Sequence, residues 1–335
     1  MSSSLDKPVE KHQMFEIDEK DTVSELPSPV SATQPRPSSA KPKLTTTIII
    51  PIWIILSSSV IIYNNYLYNT LQFRFPVFLV TFHLTFAAIG TRVLQRTTHL
   101  VDGAKDVNIT KDVFLRSILP IGLLFSASLI LSNTAYLYLS VAYIQMLKAF
   151  TPVAILLISW TFRIQEPSKK LAVIVFMISA GVALASKGEL KFNLVGFVTQ
   201  AAAVAFEASR LVMIQILLHG MKMDPIVSLH YYAPVCALIN LAILPFTEGL
   251  APFYEVMRVG PLILLSNAFV AFLLNVAAVF LVSAGSGLVL TLAGVFKDIL
   301  LISGSVLLFG SSITPLQVVG YSIALGGLVL FKTSK

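Results

Sequence analysis

Five ionisable side chains stand inside long apolar stretches of this chain. They are Lys148, Glu207, Arg210, Lys297 and Asp298. A charge at the centre of a membrane-spanning helix costs roughly 2.5–3.5 kcal/mol on insertion scales, so such residues need a partner, a water-filled cavity or a ligand. Lysine binds a phosphate group as a point charge and arginine binds it as a bidentate fork. Since three bases stand against two acids, the set favours a phosphorylated anion as the ligand.

Pairing inside the protein is the alternative explanation for these charges. Glu207 and Arg210 are three residues apart on one helix face and could neutralise each other. Lys297 and Asp298 are adjacent, so we expect their side chains to diverge by about 100° and Asp298 to reach a base on another helix. The functional hypothesis is that Lys148 and Lys297 converge on a central cavity, with Arg210 as a third cation.

The composition defines the class of protein. The chain has 335 residues, of which 56% are hydrophobic and 12% charged, and its mean hydropathy is +0.81. Soluble domains carry roughly 25% charged residues. A polytopic α-helical membrane protein is therefore predicted. The single Cys236 excludes an internal disulfide framework, and the sequence contains no metal-ligand motif and predicts no cofactor. The net charge of +7 is better explained by basic residues beside membrane spans than by nucleic-acid binding.

The apolar runs predict ten spans, because a hydrocarbon core of about 30 Å needs roughly 20 helical residues. The predicted bounds are 46–65, 76–95, 118–138, 142–162, 170–186, 194–217, 226–246, 259–281, 287–309 and 315–332. With ten spans, 17 of the 24 Lys and Arg residues lie on the side that holds both termini, and four lie on the other. Lysine and arginine mark the cytoplasmic face, so both termini are predicted to be cytosolic. Residues 1–44, rich in charge, proline and serine, are predicted to be a disordered cytosolic tail.

The spans also carry an internal repeat. Residues 155–159 recur identically at 299–303, and each copy follows an intramembrane lysine, Lys148 or Lys297. We therefore predict two five-helix halves, 45–187 and 188–335, the second including a short C-terminal tail. Five is odd, so the halves have opposite orientations. Inverted repeats with a substrate site near the midplane are typical of secondary transporters.

Several uncharged polar residues also stand inside the spans. Asn133, Tyr232 and Asn275 could line a transport pathway, or they could be hydrogen-bonding contacts between helices. Trp53, near a span end, is interpreted as an interfacial anchor.

The chain resembles the triose-phosphate translocator and nucleotide-sugar transporter family, within the drug/metabolite transporter superfamily, over about residues 45–332. The resemblance rests on the segments Tyr63–Leu67, Ser140–Ala149, Glu207–Arg210, Tyr231–Pro234 and Leu292–Asp298. It implies ten helices in two inverted halves, strict exchange of organophosphates or nucleotide sugars, and phosphate contacts from Lys148 and Lys297. Plastid members carry an arginine where this chain has Asp298, which weakens the case for a small phosphate substrate.

The resulting hypothesis is a secondary antiporter rather than an enzyme. It exchanges a nucleotide sugar or another phosphorylated sugar for a nucleoside monophosphate or phosphate, in the lipid bilayer of the Golgi or endoplasmic reticulum. A homodimer is left open. The alternative is a non-transporting receptor or scaffold that descends from the same family. The predicted substrate-binding residues are Lys148, Lys297, Arg210, Asp298, Asn133, Tyr232 and Asn275.

Overall fold

The computed structural model describes residues 46–106, 110–164, 166, 168–217, 225–284, 287–310 and 312–333. These residues are almost entirely helical, and the described part contains no β-strand. The helices are α1 Thr46–Asn69, α2 Pro76–Thr97, α3 Gly103–Asp106, α4 Lys111–Val113, α5 Leu119–Ala135, α6 Val141–Lys148, α7 Thr151–Thr161, α8 Lys169–Lys187, α9 Leu194–Leu217, α10 Pro225–Thr247, α11 Ala251–Val259, α12 Pro261–Ala284, α13 Gly287–Phe309 and α14 Pro315–Thr333. The predicted tail lies outside the described residues.

Eight segments are long and apolar enough to cross a membrane, by length and composition. They are Thr47–Asn69, Pro76–Thr97, Lys111–Ala135, Val141–Thr161, Lys169–Lys187, Leu194–Ile214, Ile226–Thr247 and Pro261–Ala278. The third begins seven residues before its predicted start, because a π-helical turn, Phe114–Ile118, joins α4 to α5. The chain is thus a multi-pass helical membrane protein.

The fourth span is broken between α6 and α7, beside Lys148. Pro152 has no amide hydrogen, so it cannot donate to the carbonyl of Lys148 four residues earlier. Residues 141–147 of α6 are all buried, and this span is the most enclosed of the eight. The break therefore places the last turn of α6, with Lys148, deep in the bundle.

Helices α8 and α14 are in backbone contact through glycines. A Cβ atom on Gly181 would lie 2.6 Å from the Gly320 carbonyl oxygen, and one on Gly320 would lie 2.5 Å from the Ala185 nitrogen. Real side chains do not tolerate such distances, so both positions require glycine. Small residues at this spacing are the usual means by which membrane helices approach closely.

Helices of the first part of the chain pack against helices of the second part in matching pairs. Helix α1 packs on α12, and its counterpart α9 packs on α5. Likewise α2 packs on α12, and its counterpart α10 packs on α5. The pairs α2–α10, α8–α14 and α6–α13 contact each other directly. The last pair matters for the site, because α6 carries Lys148 and α13 carries Lys297.

Candidate functional site

Lys297 and Asp298 form an ion pair within α13. The Lys297 Nζ lies 3.1 Å from the Asp298 Oδ1, and the two side chains are 16% and 27% exposed. The prediction that they diverge is wrong, because the four-carbon stem of lysine is long and flexible enough to bend back to its neighbour. The ammonium also lies 5.7 Å from the centre of the Trp53 ring, a cation–π contact. Trp53 is 5% exposed, so its interpretation as an interfacial anchor is also wrong.

Lys148, at the end of α6, is an intramembrane cation. Among the described residues, no carboxylate oxygen lies within 4.0 Å of its ammonium. Asp298 and Glu207 both lie within electrostatic range of it. Lys148 and Lys297 therefore share Asp298 as a neighbour, and the structure brings these three predicted residues together.

Glu207 and Arg210 form a bidentate pair on α9, as their spacing allows. Arg210 donates from Nε to Oε2 at 2.9 Å and from Nη2 to Oε1 at 2.5 Å. Ser128 donates a further hydrogen bond to Oε2 at 3.1 Å, and the guanidinium lies 4.7 Å from the Phe125 ring centre. This pair neutralises itself. It also adjoins the lysine cluster, which consists of Lys148 and Lys297, since Glu207 and Lys148 interact electrostatically.

Tyr232 lies beside the Arg210 end of this pair. The tyrosine is 5% exposed, and its hydroxyl has no hydrogen-bond partner among the described residues. It is within electrostatic range of Arg210. A buried hydroxyl beside a guanidinium, without a partner among the described residues, could form a hydrogen bond with a polar ligand or a water molecule.

Asn133 belongs to a hydrogen-bonded chain between helices. Its Oδ1 accepts from Asn64 Nδ2 and from the Tyr68 hydroxyl, both at 3.1 Å, and its Nδ2 donates to the Leu129 carbonyl at 2.9 Å. Three of its four hydrogen-bonding positions are therefore used by the protein. Asn267 and His83 extend the chain from Asn64 to α12 and α2.

Asn275 stands apart from the other predicted site residues. Its Nδ2 donates to the Ala271 carbonyl of its own helix at 2.9 Å, and the residue is half-buried on α12. No contact to the lysine cluster or to Arg210 is seen among the described side chains. Its role in binding remains a prediction from sequence.

Two tyrosines near Asp298 were missed by sequence reasoning. Tyr136, at the end of α5, is within electrostatic range of Lys297 and Asp298. Tyr321 on α14 is within range of Asp298, is 7% exposed, and has a hydroxyl without a partner in the described part of the chain. Tyr136 follows Asn133 by three residues, a spacing that could have indicated it. Tyr321 gave no signal, because only the folded chain brings α14 to the site.

Outside the spans, one carboxylate joins the two parts of the chain. Glu248, just after α10, accepts hydrogen bonds from the backbone amides of Val77 at 2.7 Å and Phe78 at 2.8 Å. It thereby satisfies two unpaired amides at the N-terminus of α2. Partial burial raises the pKa of the Glu248 carboxyl, and these two hydrogen bonds oppose that rise.

The arrangement of these charged side chains indicates a class of protein. Ionised side chains enclosed between many apolar helices, next to a broken helix, are the construction of a membrane transport protein. Within the described residues, no group of three or more His, Cys, Asp or Glu could hold a metal ion.

Comparison with known proteins places the chain more narrowly. The model of the Triose-phosphate Transporter family matches residues 44–332, and the chain belongs to this family. A "probable sugar phosphate/phosphate translocator" of Arabidopsis thaliana is 40% identical over 296 residues, which cover 85% of this chain and 82% of the relative. Another Arabidopsis protein of the same description is 38% identical over 298 residues, with the same coverage. The Arabidopsis "UDP-galactose transporter 1" is 25% identical over 284 residues, 83% of this chain and 84% of that protein.

Proposed function

We propose that this protein is a secondary antiporter that exchanges a phosphorylated sugar for phosphate or a nucleoside monophosphate by alternating access. The observation that carries the proposal is Lys148, a half-buried cation beside a helix break and against the helix that carries Lys297. Among the described residues, no carboxylate lies within 4.0 Å of its ammonium. Together Lys148, Lys297 and Asp298 carry one net positive charge. An arriving phosphate group supplies the compensating negative charge, and it leaves again because Asp298 keeps the site from being strongly cationic.

The first candidate cargo is a sugar phosphate exchanged for inorganic phosphate. This choice follows the printed descriptions of the relatives that are 38% and 40% identical. The second candidate is a nucleotide sugar exchanged for a nucleoside monophosphate. One observation favours it: the Lys297–Asp298 pair occupies one of the two lysines, which leaves less free charge for a small phosphate dianion.

The proposed architecture has ten spans in two inverted halves, 45–187 and 188–335. The protein would lie in the membrane of the Golgi or the endoplasmic reticulum, with both termini on the cytosolic side. The matching pairs of packed helices from the two parts of the chain support the inverted repeat. In alternating access, one half would then rotate relative to the other about the site that contains Lys148 and Lys297. The α6–α7 break supplies a flexible joint at the site, a common feature of transporter binding sites.

Counter-exchange in proteoliposomes tests the proposal. Vesicles that contain the purified protein are preloaded with phosphate, UMP, GMP or buffer, and are offered labelled sugar phosphates and nucleotide sugars. Lys297→Ala is the blank. Uptake that requires internal phosphate supports a sugar phosphate/phosphate exchanger, and uptake that requires a nucleoside monophosphate supports the second cargo. No exchange of any cargo, by protein that elutes as a single folded species, would overturn antiport in favour of the non-transporting scaffold.

A further inference from the structure

A cleft of about 710 Å³ lies between α8 and α9. Its walls include three exposed alanines, Ala183 on α8 and Ala201 and Ala205 on α9. Its floor is the α6–α7 break, through Leu147 and Phe150. Neither Lys148 nor Lys297 lines it, so the cleft is separate from the candidate cargo site although it adjoins the same break.

The position of the cleft determines what can enter it. Helices α8 and α9 are both candidate spans, and the small alanine side chains leave a gap between them. Because these alanines are exposed and lie within candidate spans, the gap would face lipid hydrocarbon in a bilayer. A pocket of this size with mostly apolar walls suits an apolar chain rather than a sugar.

The length of the cleft matches one leaflet. The lining residues extend from Ser179 to Lys187 on α8 and from Phe197 to Ala205 on α9. At 1.5 Å per residue, each stretch is about 12 Å long. One leaflet of a typical bilayer supplies roughly 15 Å of hydrocarbon, half of the core of about 30 Å. An acyl chain that enters from the end of α8 would therefore fill the cleft.

A lysine stands at the end of the cleft where α8 ends. Lys187, in the last turn of α8, is exposed and lines the cleft, and no described carboxylate lies within 4.0 Å of its ammonium. Glu189 also lines this end of the cleft, and its carboxylate accepts hydrogen bonds from the Lys191 amide at 3.2 Å and from Gln317 Nε2 at 2.7 Å. An ammonium at the end of an apolar cleft is complementary to a lipid with a phosphate headgroup.

We propose that this cleft binds a glycerophospholipid, with one acyl chain between α8 and α9 and the headgroup phosphate on Lys187. The acyl chain would contact Leu147 and Phe150, which flank Lys148, and so support the break in the fourth span. The proposal goes beyond the transport function and does not depend on it, because lipid binding requires only that the chain spans a bilayer.

Native mass spectrometry of the full-length protein in detergent, titrated with palmitoyl-oleoyl phosphatidylcholine, tests the site. Ala205→Trp should fill the cleft and abolish the first bound lipid. Lys187→Gln should weaken its apparent affinity about tenfold, equivalent to about 1.4 kcal/mol. The matched controls are Val198→Trp, which is exposed on α9 outside the cleft, and Lys191→Gln, a cation near the same end that does not line it. Both controls should bind lipid like the wild type.

Diacylglycerol, which lacks the phosphate, serves as the second probe. It should bind more weakly than the phospholipid to the wild type, and equally to the wild type and Lys187→Gln. Unchanged phosphatidylcholine binding in both Ala205→Trp and Lys187→Gln would overturn the site. Equal binding of the two lipids to the wild type would overturn the role of Lys187. If Ala205→Trp does not fold, Ala201→Leu provides the same test of the cleft.

Discussion

Breaking the Glu207–Arg210 pair one residue at a time separates its structural role from a role in cargo binding. Arg210 donates two hydrogen bonds to Glu207, and the side chains are only 15% and 25% exposed. Removing one partner of such a pair typically costs about 3–5 kcal/mol, because it leaves a buried charge uncompensated. In Arg210→Gln, Glu207 keeps its hydrogen bond from Ser128, so we expect a loss near the lower limit, about 3 kcal/mol.

The double variant Glu207→Gln/Arg210→Gln removes both charges together. It should recover most of the stability lost in Arg210→Gln, with a coupling energy of about 2 kcal/mol between the two sites. Thermal and denaturant unfolding of the purified protein in detergent measures stability, and counter-exchange in proteoliposomes measures function. A folded double variant without exchange would assign the Glu207–Arg210 pair to cargo binding, whereas restored exchange would limit the pair to a structural role.

A second pair on the same chain is the matched control. Glu255 and Arg258 on α11 have the same spacing and also form an ion pair, but their side chains are 35% and 50% exposed. Arg258→Gln should therefore change the unfolding free energy by less than about 1 kcal/mol. If Arg210→Gln is no more destabilised than Arg258→Gln, the reasoning from burial is refuted.

Three further predictions follow from contacts elsewhere in the chain. Glu248→Ala should lower the unfolding free energy by about 1–2 kcal/mol, since it leaves two amides at the start of α2 without a partner. The control Glu255→Ala should have little effect. Equal unfolding curves for the two variants would contradict the capping role of Glu248. Gly320→Leu should prevent the close approach of α8 and α14 and reduce the yield of folded protein. Gly326→Leu should fold normally, because a Cβ atom at Gly326 would meet no atom within 4 Å. The comparison is made by fluorescence-detected size exclusion. Asn108 begins the glycosylation sequon Asn-Ile-Thr and lies outside the described residues. It should remain unglycosylated in microsomes, because the proposed topology places it in the cytosol, and a glycan there would contradict the proposed orientation.

The sequence predicts the helices well because apolar run length is a strong signal in a membrane protein. Each of the ten predicted runs contains a helix in the described part of the chain. The prediction that Glu207 and Arg210 could pair also agrees with the structure, since i,i+3 neighbours lie on one helix face. These are local properties, which a single helix determines by itself.

The contacts of the candidate site were less predictable, because they depend on side-chain paths and on distant helices. The Lys297–Asp298 pair was missed since helix geometry fixes where a side chain starts but not where a long lysine ends. Trp53 was misassigned because its position near a span end does not reveal that α13 covers it. Tyr321 comes from α14, which sequence analysis had no means of placing beside Asp298.

The central claim is that Lys148 and Lys297 hold the phosphate group of the cargo. The most direct measurement is the rate of counter-exchange at limiting external cargo for Lys148→Gln and Lys297→Gln, each reconstituted beside the wild type and the control Lys191→Gln. A hydrogen bond to a charged group contributes about 1.5–3 kcal/mol, so each site variant should lose roughly 10- to 100-fold in rate while Lys191→Gln stays normal. Near-normal exchange by either folded site variant would remove that lysine from the cargo site and contradict the account.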